Sequence, residues 1–159
     1  MSNGAEVAEL SPDAACRGLI SAEKIRELDP YGDVHWLLGV TYREKGMYEE
    51  AIREFHKMGD HFYPLAHLSN AYARAARVAE ARETISNLKD RLPKENVTYG
   101  IALVYTGLGE RDEAFAWLEN AYIVRDKGLT YLGVDPPLDP LRSDPRFQDL
   151  LRRVGLLPE

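Results

Sequence analysis

The chain reads LLGVTYREKGMYEEAIREFHKM over residues 37–58, HLSNAYARAARVAEARETISNL over residues 67–88 and GIALVYTGLGERDEAFAWLENA over residues 100–121. In each stretch a large aliphatic residue precedes a small one, and a tyrosine, an alanine and a bulky apolar residue follow at constant spacing. The pattern recurs after 30 residues and again after 33. The five positions are Leu38, Gly39, Tyr42, Ala51 and Phe55, then Leu68, Ser69, Tyr72, Ala81 and Ile85, then Ile101, Ala102, Tyr105, Ala114 and Leu118. Periods of this length are typical of repeat folds.

Each copy of the pattern predicts a pair of helices. Apolar residues recur every three or four positions in both halves of a copy, which gives each half one apolar stripe. The small residue and the later alanine allow the two helices to approach closely. Gly46 and Gly109 suit the left-handed residue that ends a first helix. The middle copy has Ala76 at this place, so we expect its turn to differ or to carry strain.

This pattern resembles the tetratricopeptide repeat, a helix–turn–helix unit of about 34 residues. The resemblance extends from residue 12 to about residue 126. It implies an all-α fold, a right-handed α-solenoid of such repeats, closed by a C-terminal capping helix. The ending DPLRSDPRFQDLLRRVGL also resembles the tails of tetratricopeptide modules in bacterial multidomain signalling proteins, which suggests a bacterial origin.

The chain is expected to form one domain with six parts. Asp144 and Pro145 suit the N-cap and first residue of the capping helix. The parts are a flexible N-terminal tail (1–11), a single leading helix that forms half a repeat (12–30), three repeats (32–63, 64–93 and 94–127), and a proline-punctuated segment with the capping helix (128–159).

Composition narrows the functional classes. The net charge of −6 disfavours nucleic acid as a partner. No apolar run reaches about 18 residues, and the N-terminus lacks the basic and apolar regions of a secretory signal, so we expect neither a membrane span nor secretion. Cys16 is the one cysteine, which suits the cytoplasm and leaves no disulfide framework.

No constellation in the sequence indicates catalysis, a cofactor or a metal. His56, His61 and His67 lack the spacing of helical metal ligands and have no cysteine to assist them. Gly107 and Gly109 are too few for a dinucleotide-binding fingerprint. We therefore expect a protein without enzymatic activity, cofactor or bound metal.

The resemblance implies a peptide-binding site on the concave face, which the first helix of each pair lines. An aromatic residue there would anchor a ligand, Asn70 would hold a peptide amide, and arginines would hold a carboxylate. Trp36 and Tyr99 would alternatively pack between neighbouring helices. The groove positions are Trp36, Val40 and Arg43, then Tyr63, Ala66, His67, Asn70 and Arg74, then Asn96, Tyr99, Leu103 and Thr106.

The predicted function is non-catalytic binding of a protein or peptide segment in this groove, as an adaptor or scaffold. The alternative is self-association as a homodimer through the leading helix, whose apolar face would lack a partner. That face comprises Leu19, Ile20, Ala22 and Ile25.

Overall fold

The computed structural model of the protein describes residues 34–59, 62–92 and 94–157, with the side chains of residues 62 and 63 excepted. The predicted tail, the leading helix with its proposed homodimer face, and Cys16 lie outside these residues. Contacts divide the chain into two compact units, one before and one after residue 60.

The described residues form α-helices, 3₁₀-helices and connecting turns, without strands, so the all-α helical-repeat fold is confirmed. The first unit contains the hairpin α1–α2, and the second contains two more hairpins, two 3₁₀-helices and a final helix. The elements are α1 (Val34–Glu44), α2 (Tyr48–His56), α3 (Phe62–Arg74), α4 (Val78–Arg91), α5 (Thr98–Gly107), α6 (Arg111–Ile123), η1 (Lys127–Tyr131), η2 (Pro136–Leu141) and α7 (Pro145–Arg153).

The small residues of the repeat allow the helices to come close together, as predicted. A methyl group on Gly39 would lie 2.6 Å from Cε1 of Phe55, so α1 and α2 touch where the side chain is missing. In the second unit the equivalent Ser69 and Ala102 are completely buried. The later alanines, Ala51, Ala81 and Ala114, are also completely buried. The repeat therefore encodes the contact within each hairpin.

The three hairpin turns have one geometry, although only two contain glycine. Gly46, Ala76 and Gly109 have φ values of 75°, 61° and 77°. At Ala76, the amide donates to Ala73 O and the next amide, of Arg77, donates to Tyr72 O. The glycine turns form the same two hydrogen bonds. The middle turn thus keeps its shape and places an alanine in the left-handed region, which is the strained outcome of the two we expected.

The proline-punctuated segment is ordered into η1 and η2 and packs on α5. Leu132, Leu138 and Leu141 of this segment are completely buried. The capping helix α7 begins at Pro145, and the Asp144 carboxylate accepts a hydrogen bond from the Arg146 amide, as expected of an N-cap. The cap is therefore larger than α7, because the 3₁₀-helices also cover the last hairpin.

Candidate peptide-binding surface

In the first unit, one of the three predicted groove residues remains partly exposed. Trp36 is half-buried, and its ring centre lies 5.8 Å from that of Phe55, so it packs within the hairpin while one part reaches solvent. Val40 and Arg43 are buried, and Arg43 Nε donates to Glu44 at 2.9 Å. Val40 and Arg43 therefore do not offer their side chains to a ligand in this structure.

A polar pair joins α1 and α2 beside this tryptophan. His35 Nδ1 lies 2.7 Å from Glu54 Oε2, and Lys57 donates to the other oxygen of Glu54 at 2.8 Å. Burial raises the pKa of Glu54, but the hydrogen bonds from Lys57 and His35 outweigh it and hold the pKa below its ordinary value. Glu54 is thus a structural carboxylate with both oxygens occupied.

In the second unit most of the predicted groove residues lie in the interior. Asn70 is 1% exposed, and its amide donates to the main-chain oxygen of Leu103 at 3.0 Å, which ties α3 to α5. Thr106 donates to Ala102 O within α5. Ala66, His67, Leu103 and Thr106 are buried as well. Their side chains support helix packing, so the prediction that they line an open groove does not describe this structure.

The close packing of α3 on α5 is the physical reason. A methyl group on Gly100 would lie 3.1 Å from Ala66 Cβ, and one on Gly107 would lie 2.8 Å from the Asn70 amide nitrogen. The sequence of α5, TYGIALVYTG, is apolar on every side, and such a helix is normally surrounded by protein. Every residue of α5 except Gly107 is buried.

Tyr99 has the packing role that was the alternative to ligand anchoring. Its hydroxyl donates to Asp135 Oδ2 at 2.9 Å, and its amide donates to Asp126 Oδ2 at 2.9 Å. A methyl group on Gly128 would lie 2.5 Å from the ring, so η1 covers it closely. Tyr99 therefore fixes the cap to α5.

Two groove positions in the second unit are exposed, Arg74 at the end of α3 and Asn96 before α5. The side-chain oxygen of Asn96 lies 3.0 Å from the Thr98 hydroxyl, whose proton goes to Asp126 at 2.6 Å. The side chain of Tyr63 lies outside the described part. Trp36, Arg74 and Asn96 are thus the predicted site residues that a ligand could reach, and the remaining eight of the twelve are buried.

The second unit also has a cleft that the sequence analysis did not identify. It has a volume of about 410 Å³ and lies where the end of α6, η1 and the residues after α7 meet. Its signal in the sequence is the run YIVRDK (122–127), in which apolar residues continue past the last position of the repeat. Its lining includes Tyr122, Arg125, Asp126, Lys127, Leu129 and Leu156.

Comparison with known proteins gives one match. The family model described as tetratricopeptide repeat matches residues 32–57, which include α1 and α2. No curated protein and no solved structure is significantly similar to the chain. Within the described ranges, no three metal-ligating side chains are grouped as an ion would require, and no helix has the length and apolarity to cross a bilayer.

Proposed function

Because the chain is a tetratricopeptide-repeat protein, we propose that it is a non-catalytic adaptor or scaffold that binds a protein or peptide segment. Repeats of this family are generally protein–protein interaction modules. The observation that carries the proposal is the family match to α1–α2, whose hairpin geometry the two later hairpins repeat. The single cysteine supports a cytoplasmic location as part of the same proposal.

The proposed contacts are the exposed members of the predicted groove set. Trp36 offers a large, partly exposed ring, the residue type most often found as an energetic anchor of interfaces. Arg74 suits a carboxylate, because a guanidinium forms two parallel hydrogen bonds with one. Asn96 offers an amide that donates and accepts. The buried groove residues contribute by holding the helices that carry these three.

The test is quantitative affinity capture from lysate of the source cells, comparing the parent chain with Trp36→Leu/Arg74→Gln/Asn96→Ala. These substitutions leave the buried residues in place, and circular dichroism and thermal unfolding establish that the variant folds. A charge-matched control, Lys45→Gln, changes an exposed residue in the turn between α1 and α2.

We expect the parent and the control to retain the same partner and the triple variant to lose it. The loss should reach about tenfold or more, because anchors are worth at least about 2 kcal/mol each. If the triple variant captures the partner as well as the parent does, these residues are not its contacts. If no protein is captured by the parent above a bead control, the adaptor proposal is wrong.

A further inference from the structure

The cleft beside the end of α6 combines apolar walls with positive charge. Tyr122, Leu129 and Leu156 provide the walls, and Arg125 and Lys127 are part of the lining. Between Tyr122 and Arg125 in sequence, two further apolar side chains are exposed, Ile123 at 75% and Val124 at 46%. Exposed apolar residues grouped beside a cleft are a feature of interaction sites.

Neither cation of the cleft has a partner within the described part of the chain. No hydrogen bond, ion pair or ring contact engages the side chain of Arg125 or of Lys127 there. Arg153 shows the contrast, because it lies 4.5 Å from the Tyr122 ring and is held by Glu119 at 2.6 Å. Arg125 and Lys127 therefore present positive charge that no described side chain pairs with.

The one acidic residue of the cleft is occupied elsewhere. Asp126 stands between the two cations in sequence but is 5% exposed. One oxygen accepts hydrogen bonds from the Thr98 hydroxyl at 2.6 Å and the Tyr99 amide at 2.9 Å, and the other accepts from the Gly128 amide at 2.9 Å. Its carboxylate is turned into the protein, so a ligand meets the positive charge of its neighbours.

The backbone at Arg125 gives a further reason to look for a role of its side chain. Arg125 has φ of 55°, in the region where glycine is favoured, and it follows α6 in the position that Gly155 occupies after α7. An arginine there is less favourable for folding than a glycine. Strained residues of this kind cluster at binding sites, where the strain is maintained for function.

We propose that this cleft binds an acidic peptide segment in which an aspartate or glutamate lies next to a large apolar residue. The apolar side chain fills the space between Tyr122, Leu129 and Leu156, and the carboxylate pairs with Arg125 and Lys127. We favour a peptide over a small molecule because Ile123 and Val124, next to Tyr122 in sequence, are exposed apolar residues for a longer ligand to contact. The lining of this cleft includes none of the contacts proposed above, Trp36, Arg74 and Asn96.

The experiment selects ligands from a displayed library of random ten-residue peptides, using the parent, Arg125→Asn/Lys127→Gln and a charge-matched control, Lys45→Gln/Lys94→Gln. Asparagine tolerates positive φ better than most residues, so the first variant should fold. Lys45 and Lys94 are exposed, and within the described residues their side chains form no hydrogen bond, ion pair or ring contact. Enriched peptides are then measured by fluorescence polarisation beside copies in which Asn or Gln replaces the acid.

We expect the parent and the control to enrich peptides with an acid beside an apolar residue. Loss of the two cations should weaken the binding of these peptides about 5- to 10-fold, because exposed ion pairs are individually weak. Replacing the aspartate or glutamate of the peptide should have the same effect. The difference should shrink as salt is added, since exposed charges are screened. The Trp36→Leu/Arg74→Gln/Asn96→Ala variant should bind these peptides as the parent does.

Four results would overturn the proposal. The first is a selection that enriches no acidic–apolar peptide, and the second is equal affinity of the parent and Arg125→Asn/Lys127→Gln. The third is a dimer in light scattering that Ile123→Ser abolishes and the double charge variant preserves, because the patch would then be covered by a second copy. The fourth is loss of binding in the Trp36→Leu/Arg74→Gln/Asn96→Ala variant alone, which would assign the ligand to those residues instead of the cleft.

Discussion

Replacing Ala76 by glycine should stabilise the protein, although the substitution removes a methyl group and adds no contact. Ala76 lies in the turn after α3 with φ of 61°, and the two hydrogen bonds of its turn involve main-chain atoms only. Its side chain is exposed, so little apolar burial is lost. The substitution therefore isolates the conformational preference of one residue.

The expected magnitude follows from two opposing terms. A residue with a Cβ atom costs roughly 1–2 kcal/mol in the left-handed region, and glycine removes this cost. Glycine also gives the unfolded chain more freedom, which opposes folding by about 0.4–1 kcal/mol. The net gain in the free energy of unfolding should be about 0.5–1 kcal/mol, which corresponds to a rise in Tm of about 2–5 °C.

Thermal and urea unfolding followed by circular dichroism would measure this gain against two controls. Ala79→Gly changes an exposed alanine in the first turn of α4 and should lose up to about 0.5–1 kcal/mol. Gly109→Ala should also destabilise, and only through the backbone, because nothing lies within 4 Å of the added methyl group. If Ala76→Gly destabilises as Ala79→Gly does, the middle turn is not left-handed and the reasoning fails.

Three other substitutions test the packing, the cap and the polar pair. Gly39→Ala should lower the free energy of unfolding by about 1–3 kcal/mol through its clash with Phe55, and Phe55→Leu in the same chain should recover part of the loss in urea titrations. Asp126→Asn should cost about 2–3 kcal/mol, since an amide cannot accept all three hydrogen bonds; unchanged unfolding would contradict this anchoring of η1. Glu54 has a folded pKa below its ordinary 4.5, so it stabilises the fold above about pH 4.5, and this contribution is lost as pH falls through the folded pKa. Glu54→Gln should therefore reduce the dependence of the free energy of unfolding on pH between pH 6 and pH 2. The same pH dependence in both proteins would refute the role of this carboxylate.

The hairpins could be predicted from the sequence because their determinants are local. The spacing from Gly39 to Phe55 specifies which faces of two adjacent helices meet, and that spacing is visible in the chain itself. For the turn at Ala76 the sequence allowed two outcomes, a different turn or a strained one. It shows that alanine disfavours a positive φ, but not whether packing overrides that preference. The main-chain hydrogen bonds at Ala76 match those at Gly46, so the middle turn keeps the shape of a glycine turn.

The exposure of the groove residues could not be predicted in the same way. Whether Asn70 or Tyr99 reaches solvent depends on elements distant in sequence: Asn70 bonds to Leu103, and Tyr99 bonds to Asp135. A family pattern assigns both to an inner face, but it does not say whether that face is open. The all-round apolar character of α5 was the available signal, because a helix that lines a groove needs a polar side and α5 has none.

The same reasoning explains why the cleft near α6 is the stronger candidate for a ligand in the second unit. The cap covers α5, with η1 and η2 against the face that carries Tyr99, and so removes that helix from contact with any partner. Ordering this segment also holds the chain beyond α6 in one conformation, through the three hydrogen bonds of Asp126. Arg125 and Lys127 flank this fixed point, and little conformational entropy of the main chain is left to lose when a ligand binds. The contacts that bury the inner face thus also hold the backbone of the cleft in place. Asp126→Asn should therefore lower the affinity for an acidic peptide as well as the stability of the fold.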